Sequence, residues 1–228
     1  MKLSDLKLDD KTLTLKTIIR NCSYYFDQIN NRPDKYILYR GMKSNTISSE
    51  IEYQDNDVTI YLKGVRKNRL PLTTGNRNHA RFDSYFDQLF GVPYRTVSLF
   101  ATGSYLQAEE YARYSEFGKV FVILPKGNFT FIWSPSIRDL YLNANVIQNI
   151  DMAKKHYTNK DLISAIHSGS EIMIDCDAYY AIDAKNYISF AKDLTNILTN
   201  NSVTDYGSFD TPKAALNYAL YTNKRLKN

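Results

Sequence analysis

The stretch Ser168-Gly169-Ser170-Glu171-Ile172-Met173-Ile174 places a short turn directly before a strongly apolar strand. Glycine and serine favour turns, whereas a compact apolar run bounded by turn residues favours a buried strand. The Glu171 carboxylate is therefore predicted to lie where a loop enters a buried strand, at the rim of a cleft. The alternative interpretation is a strand-edge glutamate that faces water, since glutamate is seldom buried unless it is paired.

A second polar residue lies at the end of an apolar run. Arg40 follows Ile37, Leu38 and Tyr39, and the run from residue 36 to residue 42 is predicted to be a strand. A guanidinium group at a strand end suits bidentate binding of a phosphate. An arginine at the solvent edge of the strand, paired with a carboxylate, is the alternative.

The third segment is Ser98-Leu99-Phe100-Ala101-Thr102, in which a strand predicted over residues 96–101 ends in hydroxyl residues. Ser104 follows as the predicted N-cap of a helix over residues 106–117. Hydroxyl groups placed there can hydrogen-bond a ribose and orient a carboxylate. Serine and threonine are also common as ordinary strand-end and capping residues, so both interpretations stay open.

Composition limits the classes of protein. The chain has 228 residues, of which 43% are hydrophobic, enough for a folded core, and its formal net charge is +5. This charge is compatible with an anionic partner but is too small to establish nucleic-acid binding. The two cysteines, Cys22 and Cys176, are predicted to be buried thiols, with one long-range disulfide as the alternative. Three scattered histidines and two isolated cysteines predict no metal site.

The N-terminal residues contain no apolar segment typical of a signal peptide, and no stretch approaches the ~20 apolar residues of a transmembrane helix. We therefore expect a cytoplasmic protein without a membrane partner.

Helical and strand patterns alternate irregularly, without a strand–glycine-rich turn–helix unit, which favours an α+β fold with mainly antiparallel sheets. Residues 171–175 and 179–182 are predicted to pair as a hairpin through residues 176–178. We predict one domain over residues 1–228: an N-terminal helical segment at 1–35, a core at 36–183, and C-terminal helices at 184–228.

The order of these motifs resembles the arginine–serine–glutamate class of ADP-ribosyltransferases over roughly residues 36–183. The resemblance rests on the Arg40 and hydroxyl segments, the Glu171 strand, and the intervening segments Ala108–Ala112 and Gly118–Val122. Bacterial toxins and phage effectors of this class are similar in size. The resemblance implies a split pair of antiparallel sheets around a cleft that binds NAD.

The same resemblance implies roles for single residues. Arg40 would contact the NAD phosphates or the adjacent ribose, and Gly41 would let the backbone approach the nicotinamide amide. Ser98 or Thr102 would be the hydroxyl that braces the nicotinamide ribose, and the sequence does not choose between them. Glu171 would be the catalytic glutamate.

Members of the class that modify arginine carry Glu or Gln two residues before the catalytic glutamate, where this chain has Gly169. The expected activity is mono-ADP-ribosylation of a protein or a nucleic acid. The alternatives are an NAD glycohydrolase that uses water and a non-catalytic domain that binds nucleic acid or protein. Five basic residues between the strands are candidate phosphate contacts or merely a solvated surface: Arg66, Lys67, Arg69, Arg77 and Arg81.

Overall fold

The structure is a computed structural model that describes residues 3–43, 50–54, 58–70, 75–113, 118–140 and 142–200. The C-terminal helices were predicted over residues 184–228, and the part of that range after residue 200 lies outside these described residues. Within them the chain is an α+β protein with eight helices and one antiparallel sheet of eight strands, so the predicted class is confirmed.

The helices are α1 (Leu3–Asn21), α2 (Ser23–Gln28), α3 (Asn76–Phe90), α4 (Tyr94–Val97), α5 (Tyr105–Arg113), α6 (Ile150–His156), α7 (Leu162–Ser168) and α8 (Tyr187–Asn200). The strands are β1 (Tyr39–Lys43), β2 (Glu50–Gln54), β3 (Thr59–Gly64), β4 (Leu99–Thr102), β5 (Gly118–Lys126), β6 (Thr130–Trp133), β7 (Glu171–Asp175) and β8 (Ala178–Asp183).

The sheet has the strand order β2-β3-β8-β5-β1-β4-β7-β6, and it has one narrow joint. Strands β1 and β5 pair along five residues, and β4 and β7 pair along four. In contrast, β1 and β4 are joined in register only at Tyr39 and Thr102. The sheet therefore consists of a five-stranded group and a three-stranded group that separate from this point.

The predicted hairpin of β7 with β8 is wrong. Strand β7 pairs with β4 and β6, and β8 pairs with β3 and β5, so the two strands belong to different groups of the sheet. Short connections usually join neighbouring antiparallel strands, which is why the sequence favoured a hairpin. In the structure, β7 and β8 each pair with strands that are distant in the sequence and not with each other.

This connection shows that the sheet is not flat. Strands β7 and β8 are four strand positions apart, which would be ~19 Å in a flat sheet at ~4.8 Å per strand. The chain from Asp175 to Ala178 spans at most ~11 Å, since consecutive Cα atoms are about 3.8 Å apart. The two groups of strands must therefore bend towards each other at the β1–β4 joint. Beyond the Tyr39–Thr102 pair the strands β1 and β4 separate, and the opening between them is called the wedge.

Apolar side chains cover both faces of the three-stranded group, β4-β7-β6. Ile172 and Ile174 belong to the larger core, whereas Met173 belongs to a second core with Phe82 and Phe86 of α3. Because strand residues alternate between the faces, Glu171 shares the face of Met173. The catalytic candidate is thus directed to the side of the sheet that α3 and α4 cover.

Three predicted elements begin or end elsewhere. The N-terminal helical segment predicted over residues 1–35 is divided at Cys22, where the Asn21 carbonyl accepts a hydrogen bond of 2.7 Å from the Gly127 N–H. The strand predicted over residues 36–42 begins at Tyr39. The strand predicted from Thr96 begins at Leu99, because Tyr94–Val97 forms the helical turn α4.

Both cysteines are buried free thiols, as predicted. In the described part of the chain, no helix is both long enough and apolar enough to cross a membrane.

Candidate functional site

Arg40 lies in the wedge between β1 and β4. Its Nη1 donates a hydrogen bond of 2.5 Å to the Phe100 carbonyl of β4. Since the strands separate here, the guanidinium replaces a strand partner for that carbonyl group, which would otherwise be costly to leave unpaired. The Arg40 Nε is buried and has no hydrogen-bond partner among the described residues. The arginine therefore keeps a donor for a ligand.

Glu171 begins β7 beside the same wedge. Its side chain is 12% exposed, and its Oε1 lies 3.2 Å from Nη1 of Arg95, whose side chain is 7% exposed. The interpretation of a water-facing glutamate is therefore wrong, because this carboxylate is largely enclosed and ion-paired. Its placement where a turn enters a buried strand agrees with the sequence prediction.

Arg95 is a residue that the sequence analysis missed, and α3 holds it in place. The Asp83 carboxylate accepts from the backbone N–H groups of Arg95 (2.7 Å) and Thr96 (3.2 Å). These bonds satisfy amide groups at the start of the short helix α4 that have no partner within the helix. His79, on the preceding turn of α3, contacts both Asp83 (3.4 Å) and the Thr96 hydroxyl (3.0 Å). Helix α3 thus orients Arg95 towards Glu171.

A third guanidinium group completes the cluster. Arg69 lies over the Phe100 ring, with its Cζ 3.8 Å from the ring centroid, and the Arg95 Cζ lies 4.6 Å from the same centroid. Burial, together with the positive charges of Arg40 and Arg95, lowers the pKa of Arg69 to about 9. The cluster holds three guanidinium groups near the enclosed carboxylate of Glu171, and Asp83 and Asp139 are further carboxylates beside it. Guanidinium groups held close together in a partly buried site favour an anion.

The pKa of Glu171 is raised above its ordinary value, chiefly because burial disfavours the charged form. Arg95, Arg69 and Arg40 oppose this shift, whereas the Asp139 carboxylate adds to it. The protonation state of Glu171 is consequently sensitive to any ligand that changes the charge around it.

The two candidate hydroxyl residues lie at opposite ends of β4. Thr102 is the register partner of Glu171, and its Oγ1 donates to the Gly169 carbonyl at 2.7 Å. Ser98 immediately precedes Leu99, which pairs with Ile174, so it lies roughly 10 Å or more along the strand from Glu171. The Ser98 hydroxyl is buried and without a partner in the described chain. The fold therefore brings Thr102, and not Ser98, to the glutamate.

The Cβ side of Gly41 is covered by α5. A Cβ atom at this position would lie 2.5 Å from the Ala112 nitrogen and 3.1 Å from its Cα, and closer still to the Ala108 carbonyl oxygen. Gly41 therefore allows a helix to pack directly on β1. The approach of its backbone to a nicotinamide amide stays a prediction.

Gly169 ends α7 in the left-handed conformation, with φ of +66°. A Cβ atom here would lie 3.2 Å from the Ser104 Cβ, and the Thr102 hydroxyl binds the Gly169 carbonyl. The turn before Glu171 is thus shaped for glycine, and this position supplies no second carboxylate.

A second carboxylate reaches the site from another segment. The Arg138 carbonyl accepts from the Glu171 N–H at 2.8 Å, and Asp139 is the next residue. The Asp139 Oδ2 accepts a short hydrogen bond from the Tyr111 hydroxyl, which in turn accepts from the Gln107 amide at 3.2 Å. Nothing in the local sequence around Asp139 distinguishes it from an ordinary turn aspartate, so only the fold identifies it.

The basic residues do not form one solvated surface. Arg69 belongs to the cluster, Lys67 is paired with Asp175 at 2.6 Å, and Arg81 donates to the Ala144 carbonyl at 3.2 Å. Arg66 and Arg77 are exposed. Of the five basic residues, Arg66 and Arg77 are therefore the exposed candidates for contact with phosphates of a nucleic acid.

A surface cavity of about 210 Å³ lies between α5 and the start of β5, with Tyr105, Arg113 and Lys185 among its lining residues. It contains none of Arg40, Thr102 or Glu171. It is therefore distinct from the arginine cluster.

No protein-family model, no curated protein and no solved structure matches this chain. The fold and the site together define an α+β protein with a divided antiparallel sheet, and with one buried and two half-buried arginines beside an enclosed glutamate at the division. Function is therefore argued from the chemistry of that site.

Proposed function

We propose that this protein is a mono-ADP-ribosyltransferase that cleaves NAD at the nicotinamide–ribose bond and transfers ADP-ribose to a macromolecule. The observation that carries the proposal is the grouping of Arg40, Arg69 and Arg95 at Phe100, beside the enclosed carboxylate of Glu171 with which Arg95 is paired, at the wedge between β1 and β4. A diphosphate needs several cationic donors, and cleavage of a glycosidic bond needs a carboxylate close to the sugar.

The arginines supply the binding half of the site. The Arg40 Nε has no hydrogen-bond partner in the part of the chain that the structure describes, and Arg69 loses favourable hydration through burial beside two other cations. Two phosphate groups would relieve this mutual repulsion, and guanidinium groups bind phosphate oxygens in a bidentate manner. Both Arg69 and Arg95 lie over the Phe100 ring, and this cation–π attraction holds the two groups beside each other.

Glu171 supplies the reactive half. When the C1′–N bond breaks, the nicotinamide nitrogen takes the electron pair and leaves as neutral nicotinamide, and positive charge develops on the ribose. An ionised carboxylate that is already oriented stabilises this charge more in the transition state than in the ground state. The neighbouring guanidinium groups favour the ionised form of Glu171 against the effect of burial.

Support for the NAD cleft comes from the sheet. Two groups of antiparallel strands joined at one residue pair, with the candidate arginine and glutamate on either side of the opening, agree with the split sheets that the sequence resemblance implies. Thr102 supports the same arrangement, because its hydroxyl holds the turn that precedes Glu171.

The test is release of nicotinamide from NAD, measured together with incorporation of label from adenylate-labelled NAD into lysate macromolecules. We expect Glu171→Gln to lower release by about a hundredfold or more, since a transition-state interaction is lost. Glu52→Gln, which changes an exposed glutamate of β2, is the matched control and should leave release unchanged. Absence of nicotinamide release from the wild-type protein would refute the proposal.

The second candidate is an NAD glycohydrolase, and the observation that favours it is Gly169, which leaves the usual acceptor-orienting position without a carboxylate. Free ADP-ribose without labelled macromolecule would support it. A non-catalytic binding domain predicts no NAD-dependent rise in melting temperature and an affinity for nucleic acid that falls steeply with salt.

A further inference from the structure

One face of the five-stranded group continues from Arg40 towards β3. Phe121 of β5 is the register partner of Arg40, so the two side chains lie on the same face of the sheet. The Tyr61 ring of β3 meets the Phe121 ring edge-on, with 6.3 Å between the centroids. Phe121 is buried, whereas Tyr61 is half-buried. Tyr61 therefore offers part of an aromatic surface to a ligand that is held by Arg40.

Lys63 lies on the same face. Its register partner is Tyr179 of β8, whose hydroxyl donates to the Met42 Sδ at 3.6 Å. Met42 comes two residues after Arg40 on β1, and Lys63 comes two residues after Tyr61 on β3. Since residues two apart on a strand point to the same side, Arg40, Tyr61 and Lys63 share one face.

Arg66 lies near the end of β7 that is opposite to Glu171. Glu171 begins β7 and Asp175 ends it, so the two residues are ~13 Å apart at ~3.3 Å per residue. The Val65 N–H donates to the Asp177 carbonyl at 2.9 Å, just beyond that end, and Arg66 is the next residue. This separation is comparable with the length of an extended dinucleotide.

The positive charges between these two points form a row. Burial lowers the pKa of Lys63, and the charges of Arg40 and Arg66 act in the same direction. The effect of the arginine cluster on the pKa of Glu171 decreases from Arg95 to Arg40. Arg40 therefore lies between Glu171 and the two outer cations, Lys63 and Arg66.

The row carries more positive charge than the diphosphate of NAD requires. Arg95 is paired with Glu171. Arg40 and Arg69 then match the single negative charge on each of the two phosphate groups. Arg66 is exposed and adds positive charge beyond this requirement. A fixed positive charge at the outer end of the site attracts a further anionic group of the ligand.

We propose that Lys63 and Arg66 bind a phosphate group on the 2′ position of the adenosine ribose, with the adenine against Tyr61, so that NADP is the preferred nucleotide. This inference rests on the proposed function, because Glu171 and Arg40 place the other half of the dinucleotide. Lysine and arginine bind phosphate through charge-assisted hydrogen bonds, and an aromatic ring gives a base a surface for stacking. NAD carries only a hydroxyl at the 2′ position.

A single phosphate group suits this end of the row better than a nucleic acid does. Lys67, the residue after Arg66, is bound to Asp175 at 2.6 Å and lies 3.7 Å from Asp177, whose side chain is fully exposed. These two carboxylates would repel a continuous phosphate backbone. A ligand that reaches Arg66 from the arginine cluster brings one phosphate group there and needs no further cations.

Binding of two unreactive ligands tests the phosphate site separately from the chemistry. The full chain is titrated in a calorimeter with ADP-ribose and with 2′-phospho-ADP-ribose, which differ by one phosphate group and need no bond cleavage. We expect the phosphorylated ligand to bind about tenfold more tightly or better, as charge-assisted hydrogen bonds allow. This preference should decrease as salt is added, because Arg66 is exposed.

Single substitutions assign the preference to residues. Arg66→Gln should lower the affinity for 2′-phospho-ADP-ribose about tenfold and the affinity for ADP-ribose much less, and its exposure means that the fold should persist. Tyr61→Leu should weaken both ligands by a similar factor of about ten, because the adenine loses its aromatic contact. Arg20→Gln, which changes an exposed arginine of α1, is the matched control and should alter neither affinity.

The outcomes distinguish the two proposals. Equal affinities for the two ligands, or a preference that survives Arg66→Gln, would overturn the 2′-phosphate site. Tighter binding of a 5′-phosphorylated single-stranded RNA than of 2′-phospho-ADP-ribose, lost in Arg66→Gln, would overturn it in favour of a nucleic acid. Binding of neither ligand would refute the nucleotide site and both proposals with it. The expected preference without nicotinamide release from NAD or NADP would refute only the proposed chemistry and would support the phosphate site.

Discussion

The ion pair of Arg95 with Glu171 is expected to stabilise the fold as well as to position the carboxylate. The atoms are 3.2 Å apart and both side chains are almost enclosed. Coulomb's law at an effective dielectric constant of about 20 gives an attraction of about 5 kcal/mol. Removal of one partner from such a pair typically costs about 3–5 kcal/mol, because the other charge stays buried without compensation.

A double-mutant cycle measures the interaction energy of Arg95 with Glu171. We expect Arg95→Met and Glu171→Gln each to lower the free energy of unfolding by about 3 kcal/mol, and the double variant to lose much less than their sum, with a coupling energy of about 3 kcal/mol. Urea unfolding followed by fluorescence of Trp133, the single tryptophan and itself 6% exposed, gives all four values.

The exposed pair of Arg113 with Glu109 is the control, and its coupling should stay below about 0.5 kcal/mol. Additive losses at Arg95 and Glu171, with a coupling below about 0.5 kcal/mol, would contradict the reasoning and show that water screens the pair. The expected loss of stability also means that a lowered melting temperature of Glu171→Gln does not argue against a catalytic role.

Three further predictions follow from single contacts. Gly41→Ala should lower the free energy of unfolding in urea by about 3 kcal/mol, because its Cβ would overlap the α5 backbone. Gly64→Ala is the control: the nearest atom to its Cβ would lie at 3.9 Å, so stability should change by less than about 1 kcal/mol. Equal effects of the two substitutions would exclude tight packing of α5 on β1. Gly169→Ala should lower the free energy of unfolding more than Gly91→Ala. The positive φ costs an alanine about 1 kcal/mol at both positions, but only at Gly169 would the new Cβ also meet a neighbouring Cβ. The reverse order would contradict this explanation. Burial lowers the pKa of His79, so the unfolded chain binds a proton more readily than the folded chain, and stability should fall as pH drops through about 6.5. In unfolding midpoints measured from about pH 7.5 to 5.5, His79→Gln should reduce the dependence of stability on pH. An unchanged dependence would assign it to other groups.

Several local features were predictable because local chemistry decides them. The turn and strand at residues 168–175 follow from glycine and serine beside an apolar run, and β7 has the predicted bounds, Glu171–Asp175. The Ser104 hydroxyl accepts from the Gln107 N–H at the start of α5, as predicted for an N-cap. The position of Glu171 at the start of its strand was also predicted correctly, whereas Arg40 is the second residue of β1 and not the end of an apolar strand.

The partners in the site were not predictable from the sequence. Arg69 appears in the sequence only as one of five candidate phosphate contacts, and Arg95 is not singled out there at all. The fold places both over Phe100 and pairs Arg95 with Glu171. The choice between Ser98 and Thr102 also required the register of β4 with β7, because a strand end does not specify which neighbour it meets.

The sequence by itself determined the α+β class, the apolar strand β7 and the position of Glu171 at its start. Side-chain size, backbone preference and alternation act over a few residues, and for this reason they can be read along the chain. The tertiary structure alone decided that β7 and β8 belong to different groups, that the sheet opens at Tyr39 and Thr102, and that three arginines surround one glutamate. Strand pairing and charge burial depend on residues far apart in the chain, and their energies are settled only when the whole core packs.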